Sequence, residues 1–400
     1  MPLLPVADAL ARVLDGVAKL SAEEVPIGEA HGRVLAESVA SKRDQPPADV
    51  SSMDGYAARA ADLTVPTSLK LVGESAAGRP FGGEVKLGET ARIFTGAVVP
   101  KGADTVIAQE DATSEGNTVA LPAAKPGKFI RRRGLDFIAG KTMLEAGRRL
   151  TARDVGLAAA MDYATVKVAR RPRVAIIATG DELVAPGSSG DPNRIVASNP
   201  VALAALLRQE NAHVSNLGIV PDKVDAIVNA IRLARDNVDV LVTLGGASVG
   251  DHDLIAPALK AEGIALAFHR VALRPGRPLL LGLAGSLRVL GLPGNPVSSY
   301  VCAVLFIVPL LRKQQGRTDF MPAAEAAVLG TDLPANDHRQ DYLRARIERG
   351  ADGRLVATPH ERQDSSMQAL LVSSDGLLVR APDATAAKAG SPCEVIRFAD

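Results

Sequence analysis

The sequence predicts a multidomain α/β protein. A doubly wound, mostly parallel α/β domain is joined by a β-rich inserted domain, a small linking domain and a C-terminal β-barrel or sandwich. Three observations predict this. Between Val174 and Ser298, apolar runs at 174–178, 238–244 and 287–292 each lead into a glycine-bounded loop. Nearly continuous β-branched and Leu-rich runs are how strands of a parallel sheet, buried on both faces, read in sequence. Helical patterns alternate with these runs, as right-handed βα units require. On either side of this region, short β-prone runs are broken by Gly, Pro and Asp, the texture of antiparallel β structure. At 400 residues the chain exceeds one ordinary core, so several domains are expected. We divide it into a helical and linking segment (1–43), a β-rich domain (44–140), a return to the linking domain (141–171), the α/β domain (172–320) and a C-terminal β domain (321–400).

Taken in order, 6–19 reads as a helix, with apolar positions at Val6, Leu10, Val13, Leu14 and Val17. A short element follows at 27–39, turning at His31-Gly32. In the β-rich domain, strands are expected at 69–72, 90–94, 105–109, 118–121 and 128–131. A helix is expected at 154–161, with Thr151 placed to cap it three residues before Asp154. The α/β domain alternates: strand 174–178, helix 200–209, strand 214–220, helix 224–235, strand 238–244, helix 254–261, strands 279–283 and 287–292, and a long helix 297–314. Ser198 or Asn199 is placed to cap the first of these helices and Asp222 the second. Beyond Phe320, strands are expected at 342–347, 355–358, 369–373, 376–380 and 393–398. Asp352-Gly353 and Asp375-Gly376 are read as hairpin turns.

Composition narrows the function. Charged residues make 23% and hydrophobic residues 47%, as in a soluble globular protein. The net charge of +1 argues against nucleic acid as a partner, which usually requires a basic face. Aromatic residues make only 3%, too few for a base-stacking platform. Cys302 and Cys393 read as small buried apolar residues. No basic segment precedes an apolar core at the start, and the longest apolar run, 300–311, is short for a bilayer and contains Pro309. A cytoplasmic protein with no membrane partner is expected.

The three loops carry the chemistry. They are Thr179-Gly180-Asp181-Glu182-Leu183, Gly245-Gly246-Ala247-Ser248-Val249-Gly250-Asp251-His252-Asp253 and Pro293-Gly294-Asn295-Pro296-Val297-Ser298. In open α/β sheets ligands sit outside the carboxyl ends of the strands, so these loops converge on one site. Glycine lets backbone N–H groups approach a ligand, and a helix N-terminus offers N–H groups to an anion. Carboxylates are natural ligands of a hard cation such as Mg²⁺. The combination points to a phosphorylated ligand with a divalent metal. Each residue also has a plainer reading: Asp181 as a turn residue, Glu182 and Asp253 as helix caps, Asp222 likewise. Arg274-Pro275-Gly276-Arg277-Pro278 sets two guanidiniums on a stiff turn, suited to an oxyanion or simply to solvent. In the β-rich domain, Ser51-Ser52-Met53-Asp54-Gly55-Tyr56 is polar and turn-like. Asp136 follows Arg131-Arg132-Arg133, and a surface salt bridge is its simplest local reading.

In combination these segments resemble the molybdopterin molybdenumtransferase family (MoeA-type), also found as one domain of gephyrin. The resemblance rests on Asp49-Val50-Ser51-Ser52-Met53-Asp54-Gly55-Tyr56-Ala57, on Phe94-Thr95-Gly96-Ala97-Val98-Val99-Pro100-Lys101-Gly102-Ala103-Asp104-Thr105-Val106, on Ile130-Arg131-Arg132-Arg133-Gly134-Leu135-Asp136, and on the three sheet loops in the family's order. It implies insertion of molybdate into adenylyl-molybdopterin with release of AMP, assisted by Mg²⁺. It implies catalytic acids at Asp54, Asp136, Glu182 and Asp253, and Mg²⁺ ligands among Asp181, Glu182, Asp251 and Asp253. Substrate would be held by Thr179, Gly180, Asp222, Ser198, Asn199, Gly245, Gly246, Ser248, Arg274, Arg277, Pro293, Gly294, Asn295, Pro296 and Ser298. The family is dimeric, which implies a homodimer whose site combines the α/β domain of one chain with the β-rich domain of the other. It also implies a molybdopterin adenylyltransferase acting upstream and molybdoenzyme maturation factors downstream. Arg274 and Arg277 depart from the family's usual lysines, Asp251 from its usual Glu, and Leu135 and Phe137 from the usual surroundings of Asp136. Two other readings are an adenylyltransferase, against which Gly246-Ala247-Ser248 and the two β domains speak, and a non-catalytic molybdopterin-binding scaffold.

Overall fold

The computed structural model describes residues 3–188, 190–246 and 254–398. The α/β domain is a six-stranded sheet. In spatial order its strands are His213–Val220, Arg173–Thr179, Val240–Leu244, Leu287–Leu292, Leu280–Ala284 and Ala265–Phe268. The first four run parallel, and Leu280–Ala284 is antiparallel to its neighbours on both sides. Every residue of Val240–Leu244 is buried. Full burial of each such aliphatic side chain contributes about 1.5–3 kcal/mol, which is why an almost purely apolar run is found here.

Two cores flank the sheet. Ile176, Val242 and Leu290 face one, built with the helices Asn199–Gln209 and Pro296–Gln314. Ile177, Leu241 and Val289 face the other, against the helices Val224–Arg235 and Ile255–Ala261. The helix Val6–Leu14 joins the first core through Val6, Ala9 and Val13, so the chain start packs on the α/β domain. Pro296–Gln314 is longer than the apolar run suggested. It is the one described helix long and apolar enough to cross a bilayer, and 78% of its apolar window is buried as core. A π-helical turn at Ala303–Ile307 lets it run through Pro309, whose ring and missing N–H would otherwise break the ladder.

The β-rich domain has its own six-stranded sheet, ordered Thr105–Ala108, Gly55–Ala58, Glu89–Ile93, Thr67–Ser75, Thr118–Leu121 and Thr113–Glu115. Strand pairs Ala22–Pro26 with Thr165–Ala169, and Val39–Ala40 with Thr142–Leu144, tie the two linking segments around Leu35, Phe137, Met161 and Val168. Here the expected Thr151 cap is present: its hydroxyl accepts the Asp154 N–H while the Asp154 carboxylate accepts the Thr151 N–H. At the C-terminus, Ala324–Leu329, Gln340–Arg349, Leu355–Pro359, Gly376–Arg380 and Pro392–Arg397 close into a barrel, sealed by pairing of the second with the fourth. Leu273–Arg274 adds to it in parallel register with Gln340 and Asp341.

Several local expectations are corrected. The strand expected at 369–373 is not formed: 369–372 belong to the helix Gln368–Val372, which Ser373 ends; so short an apolar run carries no period that separates the two. Asp352-Gly353 does turn a hairpin, but Asp375-Gly376 joins that helix to a strand. Ala324–Leu329, a barrel strand, has an Ala-rich sequence that gives no β signal. None of Ser198, Asn199 and Asp222 caps a helix with its side chain. Each is engaged elsewhere, at the site.

Candidate functional site

A cavity of about 690 Å³ lies at the carboxyl ends of the parallel strands. It is lined by Thr179, Gly180 and Glu182 from the first loop, Gly245 and Gly246 from the second, and Pro293, Gly294, Asn295 and Pro296 from the third. Ser198, Asn199 and Asp222 complete the wall. The sequence singled out all of these residues, and the strand ends bring them together. The loops also touch. A Cβ at Gly245, where φ is +85°, would stand 2.6 Å from the Thr179 carbonyl oxygen. Glycine is required there both by the left-handed backbone and by this approach. Asn199 Nδ2 donates to the Gly294 carbonyl at 2.6 Å, fastening the helix start to the third loop.

The acids differ in their engagement. The Asp181 N–H donates to Asp222 Oδ2 at 3.3 Å, and the Asp222 N–H to Asp181 Oδ1 at 3.2 Å. This reciprocal pair holds the loop after one strand to the loop after its neighbour. Arg194 also donates to the Asp181 carbonyl. Glu182 is exposed and faces the cavity. Among the described residues no three His, Cys, Asp or Glu side chains cluster as a metal site. Ser248, Asp251 and Asp253 lie outside the described residues.

The third loop is built as expected: Leu292 ends the strand, Asn295 is extended, and Pro296 opens the helix. One part of the expected anion cradle is already occupied. The Val297 N–H donates to the Ser365 carbonyl at 3.0 Å, and Asn295 Nδ2 to Ser365 Oγ at 2.9 Å. Ser198 Oγ donates to Gln368 Oε1 at 3.1 Å, and Ser366 lines the cavity. The C-terminal domain therefore supplies one wall. Sequence reasoning missed Ser365 and Gln368, because their partners lie 70 or more positions away, and Ser366, because nothing local marks it.

Asp181 does not line the cavity, nor do three residues predicted to hold substrate. Ser298 is buried in its helix. Arg277 is exposed on the turn, where its neighbour Pro278 touches the cavity. Arg274 is drawn to the C-terminal barrel by the strand pairing that sets it opposite Asp341. Its guanidinium holds the Asp341 carboxylate with two bonds, from Nε at 2.8 Å and from an Nη, and its other Nη lies 3.6 Å from Asp337. Asp341 is only 2% exposed, so this Arg is committed to a buried acid.

Asp54 and Asp136 lie in the β-rich domain, away from this cavity's lining. Asp54 accepts the Thr95 N–H at 2.7 Å and the Thr95 hydroxyl at 2.8 Å. The N–H, then the hydroxyl, hold its carboxyl below the usual carboxylate range, with the Arg92 charge assisting. The Asp136 N–H donates to the Gln45 carbonyl at 2.9 Å. The salt bridge expected locally for Asp136 is not formed among the described residues. Arg132 pairs with Asp49 at 2.5 Å, and Arg133 pairs with Asp44. The segments around 51, 96 and 130 converge: Val50–Ser51 pairs with Ile130–Arg131, and the Gly96 N–H donates to the Ser51 carbonyl at 2.8 Å. Three motifs distant in sequence thus make one surface.

Known proteins match this arrangement along its length. Family models described as the MoeA N-terminal region (domain I and II), the probable molybdopterin binding domain and the MoeA C-terminal region (domain IV) match residues 4–161, 175–313 and 326–398. A molybdopterin molybdenumtransferase of Nostoc sp. is 40% identical over 86% of this chain and 82% of its own. One from Haemophilus influenzae is 33% identical over 89% of each. The crystal structure of a molybdopterin biosynthesis MoeA protein from Pyrococcus horikosii, 31% identical, superposes with a TM-score of 0.87 over all of both chains. With the strand-end cavity and the converging segments of the β-rich domain both in place, the chain belongs to the molybdopterin molybdenumtransferase family.

Proposed function

We propose that this protein inserts molybdate into adenylyl-molybdopterin and releases AMP, with Mg²⁺, at a site shared across a homodimer. The observation that carries the proposal is the cavity at the strand ends. It offers Glu182 and Asp222 carboxylates beside glycine-rich backbone, the means to hold a phosphoanhydride and its metal. Asp222 and Asp181 each use one oxygen for the other's N–H, so each keeps an oxygen for a further partner. Such hard oxygen donors fit Mg²⁺. Glu182, with Asp222 or Asp181, would hold the ion, and Asp253 and Asp251 on the neighbouring loop would add to the set. The ion supplies charge neutralisation at the anhydride. The backbone of Gly245, Gly246 and the 293–296 loop orients the nucleotide. The two Thr95 bonds hold the Asp54 carboxylate in one direction, so that it would orient the reacting end of the substrate. Arg277, next to the cavity-lining Pro278, would serve the oxyanion role. Molybdopterin adenylyltransferase would supply the substrate, and molybdoenzyme maturation factors would consume the product, in the cytoplasm.

The sharing of the site has a direct test. Glu182→Gln and Asp54→Asn homodimers, each without steady-state turnover in molybdate-dependent AMP release, are dissociated, mixed and reassociated. A composite site regenerates one intact centre per mixed dimer, so about a quarter of wild-type sites return at random pairing. No recovery, in mixtures shown to have exchanged subunits, would place both acids' action within one chain. ATP consumption with metal-free molybdopterin would instead identify an adenylyltransferase.

A further inference from the structure

The β-rich domain holds, beside Asp54, a charged group to which the proposed reaction assigns no part. Arg92 lies on the strand Glu89–Ile93 directly opposite Tyr56. Its guanidinium carbon is 5.0 Å from the centroid of the Tyr56 ring and 5.0 Å from that of Phe94. One Nη donates to the Gly55 carbonyl at 3.4 Å and the other to Gln109 Oε1 at 2.5 Å. The Gln109 N–H in turn donates to the Asp54 carbonyl at 2.9 Å.

Each of these tethers ends beside one pair of residues. Gly55 follows Asp54 and Tyr56 is two positions on. Phe94 precedes Thr95, which donates twice to Asp54. Gln109 holds the Asp54 backbone. The residue thus joins the three chain segments that fix the carboxylate, and a planar guanidinium can stack on two rings and bond in its own plane at once.

We propose that Arg92 is a positioning residue for the transfer reaction: it clamps the 54–56 and 94–95 segments and thereby fixes the direction of the Asp54 carboxylate. This rests on the reading that Asp54 acts on the substrate. Its positive charge also favours the ionised carboxylate, in the same sense as the Thr95 bonds.

The test is a cycle of Arg92→Gln, Arg92→Lys, Asp54→Asn and the Arg92→Gln/Asp54→Asn double variant, read by kcat and KM for AMP release and by Tm. Misdirecting a reacting group costs about 10- to 100-fold in rate. Arg92→Gln is expected to lower kcat by that factor with KM little changed. In the Asp54→Asn background, followed under single-turnover conditions, the same change is expected to have almost no further effect. Arg92→Lys keeps the charge without the fork, so its kcat should fall between; if Arg92→Gln does not fold, this variant decides. Wild-type kcat in Arg92→Gln, or in Arg92→Lys as that deciding variant, while Asp54→Asn is inactive, overturns the proposal. So does an equal loss in both backgrounds, which marks a general structural role. Full activity in Asp54→Asn overturns instead the underlying reading of Asp54.

Discussion

At the edge where the α/β strands begin, Asp239 accepts two bonds from Arg170, both at 2.7 Å, and the Arg173 N–H at 2.7 Å. At the opposite edge of the same sheet, Glu182 and Asp222 face a cavity, and Asp222 is bonded to backbone rather than to a cation. Both edges have acids, and the strands place them equally well. The difference lies in whether an arginine completes them. A carboxylate satisfied by a guanidinium has no capacity left for a ligand, and its contribution is to stability. A carboxylate left facing a cavity keeps its oxygens available to a substrate or a metal. Asp341 is the same case as Asp239: Arg274 completes it, and the residue expected at an oxyanion becomes part of the seam between the α/β domain and the barrel.

The largest effect that would sharpen this contrast is on rate. Glu182→Gln removes a charge from the cavity and no bond from the fold, so it should lower molybdate-dependent AMP release by about 100-fold or more with Tm nearly unchanged. A large fall in Tm with activity per folded molecule preserved would break the comparison.

The next effect is on stability. Asp239→Ala removes three charge-assisted bonds from a mostly buried position, and about 2–3 kcal/mol should be lost in urea unfolding, with kcat unaffected. The pH dependence gives an independent check. Burial pushes the Asp239 carboxyl up, but the Arg170 bonds and the Arg173 N–H outweigh it and hold it below the usual carboxylate range. A folded-state value below the unfolded one gives stability that is present above the ordinary Asp value of about 3.9 and is lost as pH falls through the lowered value. Asp239→Asn should therefore flatten the acid limb of the Tm–pH curve below that point and leave the neutral region parallel to wild type.

Legibility in the sequence followed the same division. The cavity was readable because parallel strands announce themselves as apolar runs, and topology then dictates that the loops after them meet. Thr179, Gly245 and Asn295 needed no knowledge of side-chain partners to be placed. The caps were misread because Ser198, Asn199 and Asp222 satisfy the local rule for a helix start, while their side chains bond to Gln368, to the Gly294 carbonyl and to Asp181. A local signal cannot show a partner brought in by tertiary packing. The same limit hid Ser365 and Arg92, and left Asp54 and Asp136 legible only by resemblance, since their surface is made by contacts among 50–54, 94–97 and 129–133.

Arg274 is where sequence and structure diverge most, and it gives the smallest and most discriminating prediction. Read from the sequence, Arg274 and Arg277 are equivalent: two guanidiniums on one Pro-Gly turn. Among the described residues only Arg274 of the two has an acid, and that acid is buried while the guanidinium is half exposed. Arg274→Gln leaves the Asp341 carboxylate short of its cation. Solvent reaching the exposed side of the pair reduces the penalty, so the loss should be about 1 kcal/mol with only a modest change in kcat. Arg277→Gln disturbs no buried charge and should leave Tm in place while raising the molybdate concentration needed for half-maximal AMP release. Measuring both variants for Tm and for molybdate dependence separates the two arginines. If Arg274→Gln instead shifts molybdate dependence as strongly as Arg277→Gln, its pairing with Asp341 yields when substrate binds, and the rule that a completed carboxylate serves only the fold fails at this seam.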